Sequence, residues 1–197
     1  MGQKDITEKL LEDYNDVFAD IINGLIFKGE QRILPVMTIV LYFGTDHHWY
    51  GKKNIKGLMK IPEGLEEYIN DYEMKVFEIA WLTEEEISRF HSDFKVVANF
   101  FVQKRKHKNY IPDDPTEIKH VDEVLKLLQV MTRDERYQTI FQEKKGVHSM
   151  CDVAERLEKM GMEKGKEEEK IRVYKKLIEK GFSEQEAQEI TELPKPL

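Results

Sequence analysis

Apolar residues recur at Leu10, Leu11, Tyr14, Phe18, Ile21, Ile22, Leu25 and Ile26, a spacing that predicts an amphipathic helix. Thr7 is placed to cap that helix and Gly29 to end it. Val36 to Phe43 is rich in β-branched residues and apolar on both faces, which predicts a strand needing cover on each of them. A polar turn, "GTDHHWYGKKN", follows, and "EGLEEYI" within Pro62 to Tyr72 is a short helical stretch. Met74 to Leu82, "MKVFEIAWL", reads as a second strand that pairs with the first in one small sheet.

Thr83 and Glu86 form a capping box opening a helix through Ile87, Phe90, Phe94, Val97, Ala98 and Phe101. "NYIPDDPTE" breaks the pattern, Thr116 opens a helix through Val121, Val124, Leu125, Leu128 and Met131, and a shorter one carries Tyr137, Ile140 and Phe141. From Ser149 the chain is helical and charged, with its apolar stripe fading between Met162 and Ile171. The expectation is a tail that projects, or bends at Gly161 and Gly165, and closes with two short helices meeting at Gly181, the second capped by Ser183. The fold class is therefore α/β and predominantly α-helical, with a sheet of about two strands, an N-terminal helix, a helical region and a helical tail. Three segments follow: 1–82 as the core, 83–148 as the helical region and 149–197 as the tail.

Composition narrows the function classes. The chain has 197 residues, 40% hydrophobic and 35% charged, and a formal net charge of −7. That acidity argues against binding nucleic acid through the whole surface. One cysteine, Cys151, cannot form an internal disulfide, which suits a reducing compartment. "MGQKDITEKL" lacks the apolar core of a signal peptide and, with Ile6, the myristoylation pattern. No apolar run is long enough for a membrane span, so a soluble cytoplasmic protein is expected.

Several residues invite chemistry. Asp16 and Asp20 lie one helical turn apart and share a face; two such acids could help hold Mg²⁺, or could simply be solvated. Asp46, His47 and His48 are good ligand types in a row, although a useful site needs further ligands at defined spacing, and a polar turn explains them equally. His91, His107, His120 and His148 are isolated, and Cys151 has no partner. Lys104, Arg105, Lys106 and Lys108 concentrate positive charge in "QKRKHK". They suit either a helix C-terminus, where the dipole favours cations, or contact with DNA phosphates. Neither Gly161 nor Gly165 follows a strand, so no phosphate-binding loop is expected.

Taken in order, "ITEKLLEDYNDVFADIINGLIF", "PVMTIVLYFGTDHHW", "LTEEEISRFHSDFKVVANFFVQKRKHKNYIP" and "IKHVDEVLKLLQVMT" resemble the Rpn family of recombination-promoting nucleases, also described as PD-(D/E)XK transposases. The tail "EKMGMEKGKEEEKIRVYKKLIEKGFSEQEAQEIT" is similar to that family's glycine-spaced charged end. The resemblance implies a Mg²⁺-dependent DNA endonuclease whose metal-binding acid and Glu-x-Gln stand on two central strands. Those strands have no counterpart here, because the first helix is joined almost directly to what looks like the last core strand. Glu30 and Gln31 are adjacent, and adjacent strand residues point to opposite sides, so they do not replace Glu-x-Gln. The expectation is a non-catalytic accessory or relic needing no cofactor and associating with itself or with full-length relatives. A metal-dependent endonuclease using Asp16 and Asp20, and a helical DNA- or partner-binding module, are the alternatives.

Overall fold

The computed structural model describes residues 15–28, 38–107, 109–143 and 145–193. Thr7, Gly29, Glu30, Gln31 and Val36 lie outside the described residues, so the expectations placed on them are not addressed. The chain divides into two compact units, Met1–Cys151 and Asp152–Leu197.

The first unit combines short helices with one small sheet among its described residues. Helix α1, Asn15–Leu25, is followed by β1, Ile39–Tyr42. A long connection carries two single 3₁₀ turns, Lys56–Leu58 and Glu66–Tyr68, before β2, Lys75–Glu78. The two strands pair in parallel, with Ile39 opposite Lys75 and Tyr42 opposite Glu78. A parallel pair requires a crossover of a dozen residues or more, which the long connection supplies. All four β1 residues are half-buried. The pairing agrees with the sequence pattern, but the full burial expected of both faces is not reached.

The second strand is shorter than its pattern suggests. Ile79–Trp81 forms a 3₁₀ turn instead of continuing it. The turn buries two successive residues, Ile79 and Ala80, completely, whereas a strand would send them to opposite faces. Arg105 fixes it by donating Nε–H to the Ala80 carbonyl at 2.7 Å.

Thr83 opens α2, Glu84–Ser88, with the expected capping box. The single helix expected beyond it is two. The chain breaks after α2 and restarts as α3, Phe94–Lys106. Helix α3 packs on α1, on α2 and on the Ile79–Trp81 turn. The core lies here: Val17 and Ile21 of α1, Ile79, Phe90, and Phe94, Val97 and Phe101 of α3 are all buried. The Phe90 ring stands edge-on to Phe94 at 5.0 Å. Gly24 admits that ring: a Cβ there would lie 2.4 Å from Phe90 Cε1.

Residues 111–120 are not helical, although Thr116 was the expected helix start. The amides at the end of this stretch have other partners. Ile118 N–H bonds to the His148 carbonyl at 2.7 Å, and those of Lys119 and His120 bond to Asp93. The helix α4 therefore begins at Val121 and runs to Thr132, packing on α5, Arg136–Gln142.

Helix α6, Met150–Glu179, runs without interruption for 30 residues through Gly161 and Gly165, correcting the expected bend. A helix tolerates each glycine at about 1 kcal/mol. The end comes where Gly181 takes φ +90°. Its N–H reaches the Ile178 carbonyl while Phe182 N–H reaches Leu177, a Schellman termination. Ser183 and Glu186 cap α7, Glu184–Thr191, reciprocally. Within the second unit Lys170 pairs with Glu192 at 3.1 Å, and Ala187 and Thr191 are buried.

Candidate functional site

Asp20 is neither a solvated acid nor an open metal ligand. The buried residues of α1 are Val17, Asp20, Ile21, Ile22 and Gly24, at helical spacing, while Phe18 of the expected stripe is 47% exposed. The Asp20 carboxylate accepts His91 N–H at 2.7 and 2.8 Å, Ser92 N–H at 2.7 Å and the Ser92 hydroxyl at 2.6 Å. These amides belong to the break between α2 and α3, where backbone donors have no helical acceptor. Asp16 lies on the same helix, but its side chain is outside the described residues.

Asp93, which the sequence reading passed over, repeats the device. It is 4% exposed and accepts Lys119 N–H at 3.0 Å and His120 N–H at 2.7 Å, with His120 Nδ1 at 2.9 Å. Asp20 and Asp93 thus tie α1 to the break, and the break to the start of α4. A Ser and an Asp between two apolar runs, "FHSDF", is the capping signal that could have located it.

A second cluster stands at the carboxyl ends of the two strands, the usual position of ligand sites in parallel sheets. Glu78 accepts Trp49 N–H at 2.6 Å and lies 3.2 Å from His48 Nδ1. The His48 ring stacks on Trp81 with centroids 3.6 Å apart, and the Arg105 guanidinium lies 4.3 Å from the Trp81 ring. Trp81 Nε1–H donates to the Gly44 carbonyl, and His47 Nδ1 meets the Tyr42 hydroxyl at 3.0 Å. Burial and the neighbouring Tyr50, Glu78 and Asp46 push the Tyr42 hydroxyl up. For Glu78, burial acts upward but is outweighed by the Trp49 and His48 hydrogen bonds, which hold the carboxyl below the ordinary glutamate value.

That shift has a sign. A carboxyl with a lowered folded value contributes stability above its unfolded value and loses it as pH falls through the folded one. Glu78→Gln is therefore expected to flatten the acid limb of stability below about pH 5, where the unfolded carboxyl begins to take up its proton, and to leave stability near neutrality independent of pH at this site. Thermal melts of both proteins across that range check it; parallel curves would refute it.

The Asp46–His47–His48 run does not converge. His47 turns to Tyr42, His48 to Glu78, and Asp46 is exposed. Among the described residues no three His, Cys, Asp or Glu side chains are grouped so as to hold a metal ion. The basic run occupies the last turn of α3, each described cation against a neighbour. Lys104 lies over Phe100 at 5.9 Å, Arg105 contacts Trp81 and Ala80, and Lys106 is 3.9 Å from Glu84. Lys108 is outside the described residues. Of the remaining histidines, His91 gives its amide to Asp20, His107 follows α3 and is exposed, and the His148 carbonyl receives Ile118. Cys151 is half-buried in α6.

No helix among the described residues is long and apolar enough to cross a membrane. No family model matches the chain, and neither a curated protein nor a solved structure does.

Proposed function

We propose that this chain is a shortened protein of the Rpn type that has no nuclease activity and works by association, with itself or with full-length relatives. The observation that supports this reading is the use made of Asp20. Both its oxygens are engaged by His91 and Ser92. A carboxylate committed to backbone amides holds the helices together and is not presented to Mg²⁺, which needs oxygen ligands in near-octahedral array. Arg105 is likewise committed to Trp81 and Ala80, which weakens the case for a DNA-binding surface built on the basic run. The protein acts in the cytoplasm, the setting its lone cysteine suits, and requires no cofactor for association.

The test is a plasmid-nicking assay with Mg²⁺ or Mn²⁺. The expected result is intact plasmid. Cleavage by the wild type that disappears in Asp16→Ala would overturn the proposal in favour of a metal-dependent endonuclease, since that change leaves the Asp20 contacts untouched. Retention of plasmid without cutting would favour a DNA-binding module instead.

A further inference from the structure

The connection between the strands exposes more apolar side chain than a loop needs. Half of the exposed large hydrophobic residues described lie between Tyr50 and Tyr72, with Leu58 72% and Tyr68 77% exposed. Neither 3₁₀ turn in this stretch buries a residue. The arm is nonetheless built. Its base is pinched by an antiparallel bridge, Asn54 to Glu73, with Ile55 N–H on the Tyr72 carbonyl and Met74 N–H on Lys53. Asp71 accepts Asn54 Nδ2–H at 2.7 Å and Lys56 N–H at 3.0 Å, tying one limb to the other. Ile55, Leu58, Met59, Leu65, Tyr68 and Tyr72 are all exposed on it. Clustered apolar surface of this kind marks a contact site, and long ordered loops are usually functional.

Charge identifies the occupant. The outgoing limb carries Lys52, Lys53, Lys56 and Lys60 and no acid; the returning limb carries Glu63, Glu66, Glu67, Asp71 and Glu73 and no cation. The bridge at the base lays the basic limb beside the acidic one. A two-fold axis running between the limbs would set the basic limb of one copy against the acidic limb of another. A nucleic acid would meet the acidic limb and be repelled. Lys52, Lys60, Glu63 and Glu67 make no ion pair or side-chain hydrogen bond among the described residues, so their charges remain for such a contact.

We propose that residues 50–73 form a self-complementary arm through which two copies of this chain dimerise. The inference rests on the associative reading given above and names the surface and the partner. The interface is isologous, and each copy supplies both halves of the charge pattern.

The test uses the full chain in sedimentation velocity at micromolar concentration. Leu58→Asp with Tyr68→Asp removes the apolar contact, and dimerisation should weaken by roughly tenfold or more. Both residues are exposed, so circular dichroism should stay unchanged. Lys52→Glu with Lys60→Glu, and separately Glu63→Lys with Glu67→Lys, should each give monomers by like-charge repulsion. Mixed in equal amounts, the two charge variants should dimerise again, because every reversed limb then meets an opposite one. Dimers that survive all three changes would overturn the arm while leaving association through another surface standing. A wild type that stays monomeric would overturn the arm and the self-association half of the associative reading, leaving only association with full-length relatives.

Discussion

Asp20→Ala is expected to lower the stability of the first unit by about 3 kcal/mol or more. The magnitude follows from the donors left behind. Two backbone N–H groups, of His91 and Ser92, bond to this carboxylate, as does the Ser92 hydroxyl. A hydrogen bond to a charged acceptor contributes roughly 1.5–3 kcal/mol, and each buried donor left unpaired costs about 1–3 kcal/mol. Water entering the vacated space would recover part of this, which keeps the figure nearer the low end of the sum. Asp20→Asn preserves the shape but turns one acceptor into a donor, so a smaller but definite loss is expected. Urea midpoints followed by tryptophan fluorescence measure both. A change within about 0.5 kcal/mol, the range of an ordinary surface substitution, would sink this account of Asp20.

The same residue marks the limit of what the sequence discloses. The helical period of α1 was legible, but the stripe read from apolar residues included Phe18 and omitted Asp20. Hydrophobic periodicity presumes that buried positions are apolar. Here one buried position serves backbone donors seventy residues away in the chain, and no local pattern reports that. The break after Ser88 was misread for a related reason: Phe90, Phe94 and Phe101 keep helical spacing across it, so the apolar pattern continues where the backbone does not. The delayed start of α4 has this cause as well, since the amides of Ile118, Lys119 and His120 are taken by distant acceptors.

Local chemistry was read more successfully. The capping boxes at Thr83 and Ser183 and the stop at Gly181 each depend on residues within a few positions of one another. The two strands are legible because short apolar runs rich in β-branched and aromatic residues fit a pleated, covered surface. The second is shorter than its apolar pattern suggests because Ile79–Trp81 is equally apolar as a 3₁₀ turn. At the sites, residue type was visible and convergence was not. Asp46, His47 and His48 were plausible ligands in a row, yet neighbours in a chain point apart, and each found a different partner. Glu78 and Trp81, which give the strand ends their electrostatic character, looked like ordinary strand residues. The arm was legible only as a polar turn with a short helical stretch, because exposure of its apolar residues is a property of the folded surface.

Asp93→Ala carries the second large expectation, a loss of about 3 kcal/mol with a defined local signature. Asp93 is buried and accepts two amides, from Lys119 and His120, together with the His120 ring. Those amides lie just before α4, in a stretch with no regular structure of its own to hold it. Without the carboxylate, the Lys119 and His120 amides lose the acceptor that holds them, while Ile118 N–H keeps its bond to the His148 carbonyl. Amide exchange at Lys119 and His120 should therefore accelerate by about a hundredfold, the equivalent of some 3 kcal/mol at 1.4 kcal/mol per decade. Unchanged exchange at both sites would refute the role assigned to Asp93. The two aspartates also hold the same break between α2 and α3 from opposite sides in sequence, Asp20 through His91 and Ser92, Asp93 as the residue that follows. Their effects should not add: once one clamp is lost and the break loosens, the other has less structure left to hold. A double-mutant cycle is expected to give a coupling of at least about 0.5 kcal/mol, and strict additivity would show that each aspartate stabilises its own contact independently.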